Sequence, residues 1–191
     1  MGRRHGANRI EVGAVVAPRK LAALSGDEVA VPDAERLVHL QFRRFAGCPF
    51  CHLHLRSIAE RNGEIAAAGI QEVVLFHSSA AALLAHQEEE LPFPVVPDPG
   101  KRLYREFGVE SSPLSVLHPW AWRAELRGLR AKRRMFSVDL HGGPLGLPAD
   151  FLIAPDGRVV ACRYGRHAYD QWSVDDLLNL AGRSGAVTSG P

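Results

Sequence analysis

Short apolar runs punctuated by proline, glycine and aspartate set the plan of this chain. Leu37-Val38-His39-Leu40-Gln41-Phe42 reads as a strand. After Gly47-Cys48-Pro49 a helical pattern begins and continues to about Ala68. Cys51, Leu55, Ile58 and Ile65 lie on its apolar side, and Gly69 is placed to end it. Val73-Val74-Leu75-Phe76 is apolar without interruption, as in a strand covered on both faces. Ser78 or Ser79 is positioned to cap a second helix running to about Glu90. Pro94-Val95-Val96 is a short extended piece, Asp98-Pro99-Gly100 a turn, and Lys101 to Phe107 a short helix. Phe151-Leu152-Ile153 and Val159 to Cys162 are strands joined by Pro155-Asp156-Gly157, a link tight enough to imply an antiparallel pair. Ser173 caps a final helix to about Ala181, with Asp175 and Asp176 in its first turn.

Ahead of these elements, Ile10 to Ala30 carries short apolar pieces around Pro18 and the turn Ser25-Gly26-Asp27, consistent with a hairpin or extension. Strand-helix-strand units require right-handed crossovers onto a mostly parallel sheet, and the last hairpin adds an antiparallel edge. The order predicts an α/β, thioredoxin-like fold: a mixed central sheet with helices on both faces, an N-terminal extension, and a long helical insertion before the last two strands. Residues 9–182 form one domain with that insertion at about 111–147; residues 1–8 read as a flexible arm and 183–191 as a flexible tail. Inside the insertion, Trp122, Leu126 and Leu129 fall on one helical stripe of the segment 120–134, beside Arg123, Arg127, Arg130 and Arg134. That pattern predicts a cover helix with its arginines in water; a basic surface for an anionic partner is the rival reading.

Composition narrows the function classes. The chain of 191 residues is 46% apolar and 23% charged, suited to one globular domain. Twenty-three basic against 21 acidic residues, a net charge of +2, give no overall reason to expect nucleic acid or a membrane. The apolar stretch after the basic N-terminus is broken by Glu11, Pro18, Arg19 and Lys20, and no run approaches the ~18 residues of a membrane span. The expected location is therefore the cytoplasm. Three cysteines in that reducing compartment are not a structural staple framework, and two of them spaced C-x-x-C suggest catalysis or metal.

Cys48-Pro49-Phe50-Cys51 follows a strand and opens a helix. Proline is favoured at the first helical position because its missing N–H had no partner there. The free N–H groups and positive dipole end favour a thiolate at Cys48. Positions i and i+3 also lie near the ~5.5 Å Cα separation that a disulfide prefers. Cys48 is expected at the exposed helix tip and Cys51, in line with Leu55 and Ile58, facing inward. The first would attack and the second would resolve the mixed disulfide or sulfenic acid. Arg43 and Arg44 lie just upstream, where they add positive potential. His52 and His54 follow the pair, but no second close Cys or His pair has zinc spacing. Cys48 to His52 also spells the c-type haem attachment pattern, which would imply an exported chain. No metal or organic cofactor is expected. Cys162 reads as a core thiol.

Phe42-Arg43-Arg44-Phe45-Ala46-Gly47-Cys48-Pro49-Phe50-Cys51 resembles the active-site segment of the alkyl hydroperoxide reductase/thiol-specific antioxidant family, in its peroxiredoxin-like branch with two close cysteines. Phe107-Gly108-Val109, Leu147-Pro148-Ala149-Asp150-Phe151-Leu152-Ile153 with Asp156-Gly157, and the N-terminal Val12-Gly13 and Ala17-Pro18 extend the resemblance over roughly residues 10–182. It implies catalytic Cys48 and Cys51, supported by Pro49, Phe50, Arg44 and Gly47, with Pro148 as a cis-proline packed against the cysteine pair. Gln41 and Phe45 stand where typical members carry a proline and a threonine, and Pro148 aligns with their arginine.

The expected activity is that of a thiol-dependent oxidoreductase acting on disulfides or peroxides and regenerated by a protein dithiol or a low-molecular-weight thiol. A true hydroperoxide reductase is one alternative, a non-catalytic redox-sensing or binding module the other. A homodimer is left open.

Overall fold

A computed structural model describes residues 9–86, 91–109, 146–167 and 169–188; the side chains of Pro49, Phe50 and residues 185–188 lie outside that description. The segment predicted as a basic cover helix, 120–134, also falls outside it. Twelve elements are described in chain order: β1 (Arg19–Ala22), β2 (Glu28–Val31), β3 (Leu37–Arg43), α1 (Pro49–Glu60), α2 (Asn62–Ala67), β4 (Ile70–Phe76), α3 (Ala80–His86), β5 (Val95–Pro97), α4 (Arg102–Glu106), β6 (Ala149–Ile153), β7 (Val159–Tyr164) and α5 (Val174–Thr188).

Five strands form the main sheet in the order β5-β4-β3-β6-β7, while β1 and β2 pair as a separate antiparallel hairpin. β3, β4 and β5 run parallel, and β6 and β7 join antiparallel at the side of β3. Parallel neighbours need a covering connection, and α1 with α2 supplies it between β3 and β4. The β6–β7 turn at Pro155-Asp156-Gly157 closes the antiparallel pair predicted from sequence.

Side chains alternate across each strand and so feed two cores. One core joins Cys51, Leu55 and Ile58 of α1 and Val174, Leu177 and Ala181 of α5 to Ile70, Val74, Phe76 and Leu152 of the sheet. The other joins Val38, Leu40, Phe42, Val73, Leu75, Phe151 and Ile153 to Leu103, Tyr104 and Phe107 of the α4 region and to Val29 and Val31 of the hairpin. Each such fully buried apolar side chain stabilises the fold by roughly 1.5–3 kcal/mol.

The helix predicted from 48 to about 68 is two helices. Arg61, at φ −113° and ψ 18°, breaks it, and Asn62-Gly63 follow; a poor helix former and a glycine weaken continuation at that point. Ser79 caps α3, its hydroxyl accepting the Ala82 N–H at 3.2 Å. Ser78 instead accepts the Ala46 N–H at 2.9 Å, tying the start of α3 to the loop after β3. Ser173 and Asp176 form a reciprocal cap on α5, each accepting the other's N–H at 3.1 Å. α5 continues to Thr188, past the end predicted at Ala181, with Gly182 inside it and Ser184 hydrogen-bonded back to the Leu180 carbonyl.

Candidate active site

β3 delivers the chain to the C-terminal edge of its parallel sheet, the edge where α/β folds place their ligand sites. A turn over Phe45–Cys48 reverses it, with the Cys48 N–H donating to the Phe45 carbonyl at 3.2 Å. Gly47 makes the turn possible. Its φ is +76°, and a Cβ there would sit 2.7 Å from the His86 ring of α3. Cys48 is the N-cap of α1 and Pro49 its first helical residue; the His52 N–H returns to the Cys48 carbonyl at 3.0 Å.

Cys51 lies one turn into α1 from Cys48, and both thiols are buried in the same core. Burial and then the neighbouring Cys48 side chain and its charge push the Cys51 pKa well above its ordinary value, against the backbone N–H and charge of Arg44. Arg44 Nη1 also reaches to 3.8 Å from the Cys48 sulfur, while its guanidinium lies 5.3 Å from the centre of the Phe45 ring. Cys51 therefore keeps its proton and Cys48 sits beside a cation.

Two sequence expectations need correcting. Cys48 was expected at an exposed tip, but it is 0% exposed and Cys51 only 1%. The Gly47 turn folds residue 48 back among Phe45, Ala46 and Leu55 instead of projecting it. Pro148 was expected to be cis, yet the cis bond present among the described residues is Val31–Pro32. Pro148 is buried at the entry to β6, where its carbonyl accepts the Gly165 N–H at 2.9 Å and its ring meets Gly165. Its role there is to seat β6 against the end of β7, and the ordinary trans form, favoured by ~0.5–1 kcal/mol, serves that. Arg43 does not join Arg44 beside the thiol; its guanidinium lies beneath α1, held by Gln41 and Asp150 beside His54. Cys162 is half-buried on the second core, its thiol donating to the Ile10 carbonyl at 3.6 Å.

Sequence reasoning missed a buried charged cluster below α1. His39, Gln41 and Arg43 of β3 meet Glu72 of β4, Asp150 of β6 and His54 of α1, and all six are buried. His39 Nδ1 donates to Glu72 at 2.8 Å, and its Nε2 lies 3.4 Å from Asp150 without a well-aligned hydrogen bond. Gln41 donates to Glu72 and accepts from Arg43. Arg43 Nη2 donates to Asp150 at 2.6 Å and approaches His54 Nε2 at 3.2 Å. The other Asp150 oxygen accepts the Trp172 N–H at 3.3 Å.

Electrostatics in the cluster are strongly perturbed. Burial pulls the His39 pKa down, but the Glu72 charge and the neighbouring Asp150 carboxylate outweigh it and raise the value to about 9. Burial raises the Asp150 pKa, but the Arg43 charge and His39 bring it below the usual carboxylate range. Burial and then the Arg43 cation lower His54 to about 3. Two cations thus face two carboxylates inside the core.

A pH profile of folding stability follows. His39 holds its proton when folded up to about pH 9 but loses it near 6.5 when unfolded, so the folded state binds more protons between those values. Stability is expected to fall by on the order of 2–3 kcal/mol as pH rises through that window. Below pH 6.5 the neutral His54 disfavours the folded state as the unfolded histidine protonates, so stability also declines toward acid. Urea unfolding across pH 5–10 should show both limbs, and His39→Gln should flatten the alkaline one. An unchanged alkaline limb in that variant would contradict the assignment.

The fold is thioredoxin-like, with Cys48 and Cys51 buried together at the start of α1. The model of the AhpC/TSA antioxidant enzyme family matches residues 57–167, more than half of the chain, and the chain belongs to that family. The match begins past the cysteine pair. No curated protein sequence matches. Among solved structures, peroxidoxin BcpB from Mycobacterium tuberculosis is 17% identical with TM-score 0.66, covering 92% of this chain and 98% of that one. A cysteine-to-serine mutant of peroxiredoxin 6 of Arenicola marina is 16% identical with TM-score 0.70, covering 94% and 76%. A protein assigned as thiol:disulfide interchange protein DsbE from Chlorobium tepidum is 18% identical with TM-score 0.59, covering 91% and 99%. At these identities the likeness is one of fold. Family and fold together support a thiol-dependent redox function.

Proposed function

We propose that the protein is a thiol-dependent oxidoreductase in which Cys48 attacks a disulfide or peroxide and Cys51 resolves the product. The observation that carries this reading is the approach of Arg44 Nη1 to 3.8 Å from the Cys48 sulfur at the start of α1, with Cys51 buried one turn on and its pKa pushed up by burial and by Cys48. A thiolate beside a cation is the nucleophilic partner, and the thiol that keeps its proton enters second. Both sulfurs are covered, so reaction requires a local opening over Cys48. A protein dithiol or a low-molecular-weight thiol regenerates the pair, in the cytoplasm where free thiols persist.

The test compares turnover of hydrogen peroxide and of insulin disulfide with dithiothreitol as reductant, alongside thiol alkylation across pH. Activity on at least one substrate is expected, together with a Cys48 alkylation midpoint below that of an ordinary thiol. Absence of both activities in the wild-type protein would defeat the reading.

A further inference from the structure

At the outer edge of the main sheet the β1–β2 hairpin meets β5, the Leu24 N–H donating to the Val95 carbonyl at 2.7 Å. Between that hairpin, β5 and α3 lies a groove of about 690 Å³, within the roughly 300–1,000 Å³ of sites that take up a ligand. Leu24, Leu84, Phe93 and Val95 line it with apolar surface, and Leu84 is 61% exposed. Its charged lining, among the described residues, is acidic throughout: Asp27 and Glu28, with no Lys, Arg or His. Lys20, which does not line the groove, pairs with Glu28 at 3.0 Å. Glu88-Glu89-Glu90 directly precede the lining residue Leu91 in the sequence. An exposed apolar groove with only acidic charge on its walls suits an apolar stretch that carries cations.

We propose that this groove is the docking surface for residues 120–134 of the same chain. Their sequence supplies what the groove lacks. Trp122, Leu126 and Leu129 match its apolar walls, and Arg123, Arg127, Arg130 and Arg134 match its carboxylates, opposed within the segment only by Glu125. Seating Trp122 and a leucine against Leu84 takes that exposed leucine out of water, which the hydrophobic effect favours. Chain length permits the contact. Gly146 lies beside His77 at the end of β4, and Gln71, near the start of the same strand, lines the groove. The length of that strand, roughly 20 Å, separates the two. Residues 110–119 and 135–145 can each span ~33 Å or more when extended, enough to reach from Val109 and from Gly146. The docking involves neither Cys48 nor Cys51 and is independent of the reaction they carry out.

The experiment uses the full chain with Leu84 replaced by the photo-crosslinker benzoylphenylalanine, irradiated in dilute solution, with the adducts mapped by peptide mass spectrometry. Adducts within one chain to residues 120–134 are expected. Asp27→Lys together with Glu28→Lys should cut their yield by about threefold or more, and Arg127→Glu together with Arg130→Glu should do the same. Combining the two sets of charge reversals should recover most of the yield, a result that loss of folding in either variant would not produce. Adducts between two chains would make a second copy the occupant and overturn the proposal. Adducts to other segments, no adduct, or a yield indifferent to charge reversal on either side would overturn it as well.

Discussion

Replacing Asp150 with alanine is expected to cost about 3–5 kcal/mol of folding stability, a large part of the roughly 5–15 kcal/mol of a typical domain. The carboxylate accepts from Arg43 at 2.6 Å, lies 3.4 Å from His39 Nε2 and accepts the Trp172 N–H at 3.3 Å. Removing it strands a guanidinium that is 0% exposed and cannot lose its proton. Asp150→Asn keeps an acceptor for Trp172 but not the charge, and should fall between wild type and alanine. Adding Arg43→Met to Asp150→Ala removes the orphaned cation and should restore part of the loss. Guanidinium denaturation of the four proteins measures this directly. A cost below about 1 kcal/mol for Asp150→Ala would mean the cluster does not hold its charges as the geometry implies.

The second large effect concerns the cysteines. Cys48→Ser should lower turnover by about a thousandfold or more, since a hydroxyl beside Arg44 is not a nucleophile at neutral pH. Cys51→Ser should behave differently. Mixed with dithionitrobenzoate in a Cys162→Ala background, wild type should release two thiolate equivalents: attack by Cys48 forms the mixed disulfide and frees one, and closure by Cys51 frees the other. Cys51→Ser should release one and retain the probe on Cys48. A Cys51→Ser protein that releases two equivalents, or a Cys48→Ser protein that turns over normally, would reverse the assigned roles.

Much of this was legible in the sequence because it is local. The β3–turn–α1 segment reads from Gly47, Pro49 and the apolar spacing through Ile58, and the β6–β7 hairpin reads from its turn. The charged cluster was not, although its signal is present. Val38-His39-Leu40-Gln41-Phe42-Arg43 alternates apolar with polar, and such alternation ordinarily marks a strand with one face in water. Here α1 and α5 cover that face, and the residues that make burial tolerable, Glu72 and Asp150, come from strands distant in sequence. Only the register that sets His39 opposite Glu72 and Gln41 opposite Asp150 brings them together. Cys48 misled for a related reason: helix-dipole logic predicts its chemistry, but exposure depends on how the turn tucks.

The N-terminal segment has a consequence for how the molecule behaves among its own copies. Gly13 donates to the Val159 carbonyl at 2.8 Å, Val159 to Ala14 at 2.9 Å and Val16 to Gly157 at 2.8 Å. Farther along β7, Ile10 meets the Tyr164 hydroxyl at 2.8 Å. The outermost strand of an open sheet otherwise presents unsatisfied amides and carbonyls that template intermolecular pairing. Residues 10–16 occupy those groups over the first part of β7, so trimming the chain to residue 17 would uncover a sticky rim and promote self-association.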